Sequence, residues 1–94
     1  GLISVAGNEI PALMKEMVSS ALNGRFDRAR AVHERVLPLM LGNFIESNPA
    51  PAKAVMKMMG LLETDHVRSP LAPLTEANRT KLRAILEQSG LSAR

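Results

Sequence analysis

The apolar residues of this chain recur mainly at the three- and four-residue spacing of amphipathic helices. Asn8 precedes the first such run as a predicted cap, with Glu9 and Pro11 in the first turn. Asn23-Gly24 is a typical helix stop, because glycine adopts the left-handed conformation at low cost. The predicted apolar face of this first helix comprises Ile10, Leu13, Met14, Met17, Val18, Ala21 and Leu22.

A second helix is predicted from about Arg25 to Phe44. Pro38 lies in its interior, where it removes the hydrogen bond to the carbonyl of Glu34 and predicts a kink at a cost of roughly 3 kcal/mol. His33 lies on or beside the apolar face, and we interpret it as a core or boundary residue rather than a catalytic one. The predicted face comprises Phe26, Ala29, His33, Val36, Leu37, Met40, Leu41 and Phe44.

Two prolines, Pro49 and Pro51, mark a corner in the middle of the chain. Asn48 or Ser47 is the predicted cap of a third helix, and the prolines occupy its first turn, where no intrahelical hydrogen bond is lost. A residue that precedes proline avoids the α region. The second helix must therefore end before this corner, near Phe44–Ile45.

The third helix is predicted to run from Pro49 to about Gly60. After a connector over residues 61–74, Thr75 is the predicted cap of a fourth helix and Gly90 its stop. Residues 91–94 form a tail. The inward-facing residues are Val55, Met56 and Met59 in the third helix and Leu82, Ile85 and Leu86 in the fourth.

One stretch, Leu2–Ala6, is a short apolar run with β-branched residues, and the turn signal Gly7-Asn8 follows it. It predicts a strand buried on both faces, as in parallel sheets. Nothing later in the chain resembles a second strand, and a lone buried strand would leave its N–H and C=O groups unsatisfied. The strand must therefore pair with another chain or with a larger sheet missing here. The predicted fold class is mostly α, with one short N-terminal strand and about four helices.

Composition narrows the class of protein. The 94 residues suffice for one small domain, and the absence of cysteine excludes disulfides and fits a reducing cytoplasm. No apolar run approaches the roughly 20 residues that span a bilayer, so we expect no membrane association. The net charge is +3, but Asp27 and Glu34 interrupt the cluster of four arginines between residues 25 and 35, and there are only two aromatic side chains. We interpret these arginines as part of a solvated helix face and expect no nucleic-acid partner.

Motifs that carry chemistry are missing from the sequence. It has no glycine-rich phosphate loop, no nucleophile elbow and no paired-histidine metal motif. A Schiff-base lysine is conceivable, because burial lowers the pKa of a lysine and makes it nucleophilic. However, all four lysines lie on helical segments in an exposed phase: Lys15, Lys53, Lys57 and Lys81. We therefore predict no catalytic residue, no cofactor-binding residue and no metal ligand in this chain.

An ordered set of motifs resembles the dihydrodipicolinate synthase and N-acetylneuraminate lyase family. Gly1–Asn8, followed by a methionine-rich helix, is similar to the eighth strand and helix of the synthases, and Phe44–Lys53 to their Asn-Pro-x-Pro-x-Lys segment. Gly60-Leu61 and Arg68–Leu74 are similar to the C-terminal helical extension. The lyase branch tends to have Gly-Ser-Thr where this chain has Ser4-Val5-Ala6, which favours the synthase branch.

The resemblance implies a parent (β/α)8 barrel, of which residues 1–24 are the last strand and helix and residues 25–94 the helical extension. The implied activity is that of a class I aldolase-type lyase, whose lysine forms a Schiff base with pyruvate before condensation with aspartate semialdehyde on the path to lysine. That lysine belongs to the sixth strand, and the tyrosine and threonine relay to earlier strands. None of these strands is in this chain, so we expect the piece to be inactive alone.

One residue falls on a substrate position of the family. By resemblance, Ile3 lines the pyruvate site, and Ser4 is its neighbour. Ala6 departs from the pattern, because threonine is usual there. The resemblance also implies that the remainder of the barrel is a partner, that the enzyme is a homo-oligomer, and that it is cytoplasmic.

Two alternatives stay open at this point. The chain could be a stand-alone helical interaction module in which Leu2–Ala6 pairs across a dimer. It could also belong to a related pyruvate-dependent aldolase or dehydratase with another acceptor, since the acceptor determinants lie mostly outside the chain. The gene sequence upstream of Gly1 separates the first alternative from the barrel enzyme.

Overall fold

The computed structural model describes residues 2–91, which form four α-helices around one apolar core and measure 43 × 25 × 21 Å. The predicted tail beyond Leu91 lies outside the described residues. In chain order the helices are α1 (Pro11–Leu22), α2 (Phe26–Gly42), α3 (Ala50–Met58) and α4 (Glu76–Gln88). A short 3-10 turn, Ala6–Asn8, precedes α1.

The predicted strand at Leu2–Ala6 is wrong: between residues 2 and 91 the structure has no β-strand. The chain instead turns, with hydrogen bonds of 3.2 Å from Gly7 N to Ser4 O and 3.0 Å from Asn8 N to Val5 O. The physical reason is that a strand needs a neighbour for its N–H and C=O groups. The described chain offers none, and the carbonyls of Ser4, Val5 and Ala6 accept from the N–H groups of residues 7–10 instead.

Two of the three predicted helix caps are also wrong. Asn8 donates its side-chain amide to Val5 O at 3.2 Å, and α1 begins two residues later than predicted, with no side-chain cap. Neither Asn48 nor Ser47 caps α3, whose N-cap position is Pro49. In both helices a proline stands in the first turn, where it removes one of the N–H groups that a cap would serve.

The third cap is confirmed. Thr75 Oγ1 accepts a hydrogen bond of 3.2 Å from Asn78 N at the start of α4. The predicted stops at Gly24 and Gly90 are confirmed as well, with φ angles of 77° and 67°. These features depend only on residues within one helical turn of each other.

The predicted face of α2 is rotated from the observed one. Val32, Val36 and Leu39 are buried, whereas Phe26, Leu41 and Phe44 are each more than 60% exposed. His33 is exposed and is neither a core nor a boundary residue. The helix runs without a break past the exposed Pro38 and ends at Gly42, two residues earlier than predicted.

Both α1 and α4 pack against α2, and the contact with α4 is close at Gly42. A Cβ atom built on Gly42 would lie 3.0 Å from Ile85 Cδ1 and 3.1 Å from Leu82 Cδ2. The glycine therefore permits a close approach of the two helices. The predicted inward residues of α4 are confirmed, since Leu82 and Leu86 are buried and Ile85 packs against the core.

Polar contacts hold both ends of α4. At its C-terminal end, the exposed Arg35 of α2 donates from Nε to Ser89 O at 3.0 Å and from Nη2 to Gly90 O at 3.2 Å. At its N-terminal end, Glu46 accepts hydrogen bonds from Thr75 and Asn78. Arg35 thus has a partner on another helix, in addition to lying on the solvated face that the sequence predicted.

Candidate functional site

An open crevice of about 290 Å³ lies between the N-terminal segment and the end of α2. Ile3, the predicted substrate-binding residue, is on its rim and is fully exposed, at 104%. Ala6, the position where the chain departs from its family pattern, is buried at the base of the same segment. The crevice is lined by Ile3, Ser4, Val5, Ala6, Met40, Asn43 and Phe44.

The crevice can bind a ligand by apolar contact, with a polar group supplied by the half-buried Ser4, whereas the side chain of Asn43 is buried and bonded to Glu9. None of its lining side chains is an amine, an imidazole or a carboxylate. Covalent or acid–base chemistry on a ligand in this crevice would therefore need groups from another part of the protein. The structure places Ile3 where a ligand can touch it, but it brings no reactive group of this chain beside it.

A second crevice, of about 270 Å³, joins the two segments that carry the family resemblance. Val5 and Asn8 of the N-terminal segment line it together with the proline corner at Asn48–Lys53. Lys53 Nζ donates a hydrogen bond of 3.1 Å to the backbone carbonyl of His66. The remaining lysines, Lys15, Lys57 and Lys81, are exposed on their helices, as predicted.

A buried pair of polar side chains lies beside the first crevice. Glu9 is only 2% exposed and Asn43 is 0% exposed. Asn43 Nδ2 donates a hydrogen bond of 2.7 Å to Glu9 Oε1. The bond connects the start of α1 to the C-cap of α2. Sequence reasoning missed it, because Glu9 was interpreted as an ordinary first-turn charge and Asn43 was given no role. The two residues are 34 positions apart, and no local pattern links them.

Burial raises the pKa of Glu9 to about 7, and the hydrogen bond from Asn43 opposes this rise. The rise has a simple cause, because removing a carboxylate from water disfavours its charged form. Within residues 2–91, Glu9 Oε2 and Asn43 Oδ1 are the buried side-chain atoms that lack a hydrogen-bond partner.

Two other acidic groups of the chain have a structural role. The side-chain amide of Asn78, at 2.7 Å, and the backbone N–H of Thr75, at 3.1 Å, donate to Glu46 and lower its pKa. The ion pair with Arg79 lowers the pKa of Asp65 in the same way. Both carboxylates hold α4 or the connector before it. The described part of the chain has no group of three or more His, Asp or Glu side chains placed to hold a metal ion.

The arrangement of the helices matches solved structures of dihydrodipicolinate synthases. The structure of the Thermotoga maritima enzyme matches with a TM-score of 0.90 and 38% identity, over 97% of this chain and 30% of that one. The Aquifex aeolicus enzyme matches with a TM-score of 0.89 and 39% identity, over 100% of this chain and 32% of that one. The four helices therefore have the fold of one part of this class of enzyme.

Sequence comparison defines the family. The profile of the dihydrodipicolinate synthetase family matches residues 1–89, and the chain belongs to this family. It is 47% identical over 91 residues to the 4-hydroxy-tetrahydrodipicolinate synthase of Koribacter versatilis, and 44% identical to that of Methanosarcina acetivorans. These matches cover 97% of this chain but only 30% and 31% of the two relatives. The chain thus spans about a third of the length of the curated relatives that it matches.

Proposed function

We propose that this chain is the C-terminal part of a dihydrodipicolinate synthase, a lyase that condenses pyruvate with aspartate semialdehyde through a Schiff base. One observation carries the proposal: nearly the whole chain matches synthases, while about 70% of each synthase has no counterpart in it. The family lysine, tyrosine and threonine belong to that other part. The 94-residue piece alone is then inactive.

The proposed parent is a (β/α)8 barrel with a helical extension. Residues 1–24 correspond to the end of the barrel, and residues 25–94 to the extension. Active sites of such barrels lie at the C-terminal face, where side chains from several strands meet. A catalytic site of this kind needs residues from the whole barrel, which is consistent with a crevice that lacks a reactive group.

The remainder of the barrel is the proposed partner of the exposed apolar surface around the first crevice. Ile3 and Phe44 line this crevice and are each more than 60% exposed, and the exposed Leu2 and Leu41 are close to them in sequence. Large exposed apolar side chains that lie together commonly mark an interface. Assembly into a homo-oligomer and a cytoplasmic location are parts of the same proposal. They rest on the family resemblance and, for the location, on the absence of cysteine.

Ile3 is the proposed point of contact with pyruvate. It is exposed on the rim of a crevice that can accept a small ligand. A dihydrodipicolinate synthase of Acinetobacter baumannii, whose solved structure is described as complexed with pyruvate, matches this chain with a TM-score of 0.89 and 36% identity. The apolar side chain of Ile3 would contact the methyl group of pyruvate, and Ser4 would follow it on the same segment.

The test is an assay of the full-length protein with pyruvate and a panel of aldehyde acceptors. The proposal predicts that pyruvate is consumed with aspartate semialdehyde. Consumption with a different acceptor only would assign the protein to a related aldolase or dehydratase. No consumption with any acceptor would contradict the proposed activity.

A further inference from the structure

In the buried pair, Glu9 and Asn43 each have one side-chain oxygen without a hydrogen-bond partner. An ionised carboxylate only accepts hydrogen bonds, and so does the carbonyl oxygen of a side-chain amide. With Glu9 ionised, Oε2 and the Asn43 Oδ1 are two buried acceptors without a donor. Leaving a buried polar atom without a partner is costly, so an ionised Glu9 would be unfavourable in this pair.

We propose that Glu9 is a neutral carboxylic acid that exchanges two hydrogen bonds with the Asn43 side chain and thereby positions the Ile3 segment. Asn43 Nδ2 donates to Oε1, as observed, and the O–H on Oε2 donates to Asn43 Oδ1. One proton on Glu9 thus satisfies both remaining atoms. The pair ties the residue just before α1, and with it the segment that carries Ile3, to the end of α2.

The charges around the pair favour the neutral acid. The segments Leu2–Asn8, Ile10–Met14 and Val36–Ile45, which precede, follow and face Glu9, contain no titratable residue. Of the charged residues that are close to the pair in sequence, Lys15 is exposed and Glu46 accepts a hydrogen bond from Asn78.

The charged side chains of α3 and α4 that are named next are also either exposed or hydrogen-bonded to another group. On α4, Lys81 and Arg83 flank the buried Leu82 and are both exposed. On α3, Lys53 donates to the backbone carbonyl of His66 and Lys57 is exposed. None of these groups offers a buried carboxylate the positive partner that it would need.

The test compares Glu9→Gln with the unchanged full-length protein. A glutamine amide can donate to Asn43 Oδ1 and accept from Nδ2 at every pH, so it imitates the neutral acid. The midpoint of thermal unfolding is measured between about pH 4 and about pH 8.5. We expect the two proteins to be similar below pH 4.5, the unchanged protein to fall below Glu9→Gln as the pH rises from 4.5 to about 7, and the difference to stay constant above that pH.

Three controls make the result specific. Glu87→Gln, which makes the same chemical change at an exposed residue of α4, should show no such divergence. Glu9→Ala should lower the midpoint at every pH, because it leaves the Asn43 amide unpaired. Glu9→Met, which fills similar space without the hydrogen bonds, should stay below Glu9→Gln at every pH, and this contrast separates hydrogen bonding from the filling of space.

Infrared spectroscopy measures the proton itself. The difference spectrum between the unchanged protein and Glu9→Gln should contain the carbonyl band of a protonated carboxylic acid at pH 6, and carboxylate bands should replace it above pH 8. A carboxylate spectrum at pH 6, or a stability difference between the two proteins that does not change with pH, would overturn the proposal. Neither measurement depends on the enzymatic activity, so it can fail while the proposed function stands.

Discussion

A Cβ atom on Gly42 would stand 3.0 Å from Ile85 Cδ1, which is closer than side chains normally approach. This contact lies where the last turn of α2 meets the middle of α4. Because interiors pack as densely as organic crystals, an added methyl group there must displace the side chains of α4.

We therefore predict that Gly42→Ala lowers the free energy of unfolding by about 1 kcal/mol, because the cost of overpacking exceeds the helix-propensity gain of alanine. Combining it with Ile85→Val, which removes the opposing methyl group, should recover part of the loss. Urea unfolding of the two single variants and the double variant measures the coupling between the sites. Gly7→Ala is a matched control, since the nearest atom to a Cβ there is 4.0 Å away. Strictly additive effects at residues 42 and 85 would contradict the packing described.

Arg35 supports the C-terminal end of α4 through two backbone carbonyls, at 3.0 Å and 3.2 Å. A cation at this end of a helix also interacts favourably with the helix dipole. Replacing Arg35 by methionine should cost about 1 kcal/mol of stability, a modest value because the contact is exposed to solvent. Arg30→Met changes an exposed arginine on the same helix and is the control, with little change expected. Equal effects of the two substitutions would show that Arg35 acts only as a surface charge.

Glu46 and Glu9 should respond to pH in opposite directions. Hydrogen bonds from Asn78 and Thr75 lower the pKa of Glu46 below 4.5, so its contribution to stability is complete above that pH and is lost as the pH falls through the lowered value. Acid titration of stability should therefore show the unchanged protein losing its advantage over Glu46→Gln below about pH 4.5. Glu63→Gln, at an exposed residue of the connector, is the control. A constant difference between the unchanged protein and Glu46→Gln across the acid range would mean that the two donors do not stabilise the carboxylate.

The proposed contact of Ile3 with pyruvate predicts a selective kinetic defect. In the full-length enzyme, Ile3→Ala should raise the KM for pyruvate roughly 10-fold, since it removes apolar contact at the substrate. The midpoint of thermal unfolding is measured beside it, because the surface that carries Ile3 is also the proposed contact with the rest of the barrel, and the assignment to the substrate site requires a raised KM at an unchanged midpoint. Leu61→Ala, at an exposed apolar residue outside the first crevice, is the matched control. An unchanged KM would remove Ile3 from the substrate site.

Local patterns predicted much of α4 correctly. Thr75, Leu82, Leu86 and Gly90 follow rules that act within a few turns of one helix, and the structure confirms each of them. The buried face of α2 followed a different logic. It depends on how α1 and α4 pack against α2, and the close approach to α4 at Gly42 leaves no trace in a hydrophobic pattern, because glycine has no side chain.

The buried pair and the N-terminal segment lay beyond local reasoning for separate reasons. Glu9 and Asn43 meet only because α1 and α2 pack together, and each residue alone is unremarkable in sequence. The strand predicted at Leu2–Ala6 had the right residue types, but strand formation depends on neighbours that the described chain lacks. The family resemblance, by contrast, rested on ordered motifs along the whole chain, and the family match over residues 1–89 confirms it.

The most direct measurement is reductive trapping of the Schiff base, with borohydride and pyruvate, in the full-length protein and in the isolated 94-residue chain. Mass mapping of the trapped protein locates the modified lysine. We predict one pyruvate adduct in the full-length protein, on a lysine outside these residues, and none on the isolated chain. An adduct on Lys15, Lys53, Lys57 or Lys81 would contradict the proposal that catalysis belongs to the rest of the barrel, and so would a full-length protein that forms no adduct.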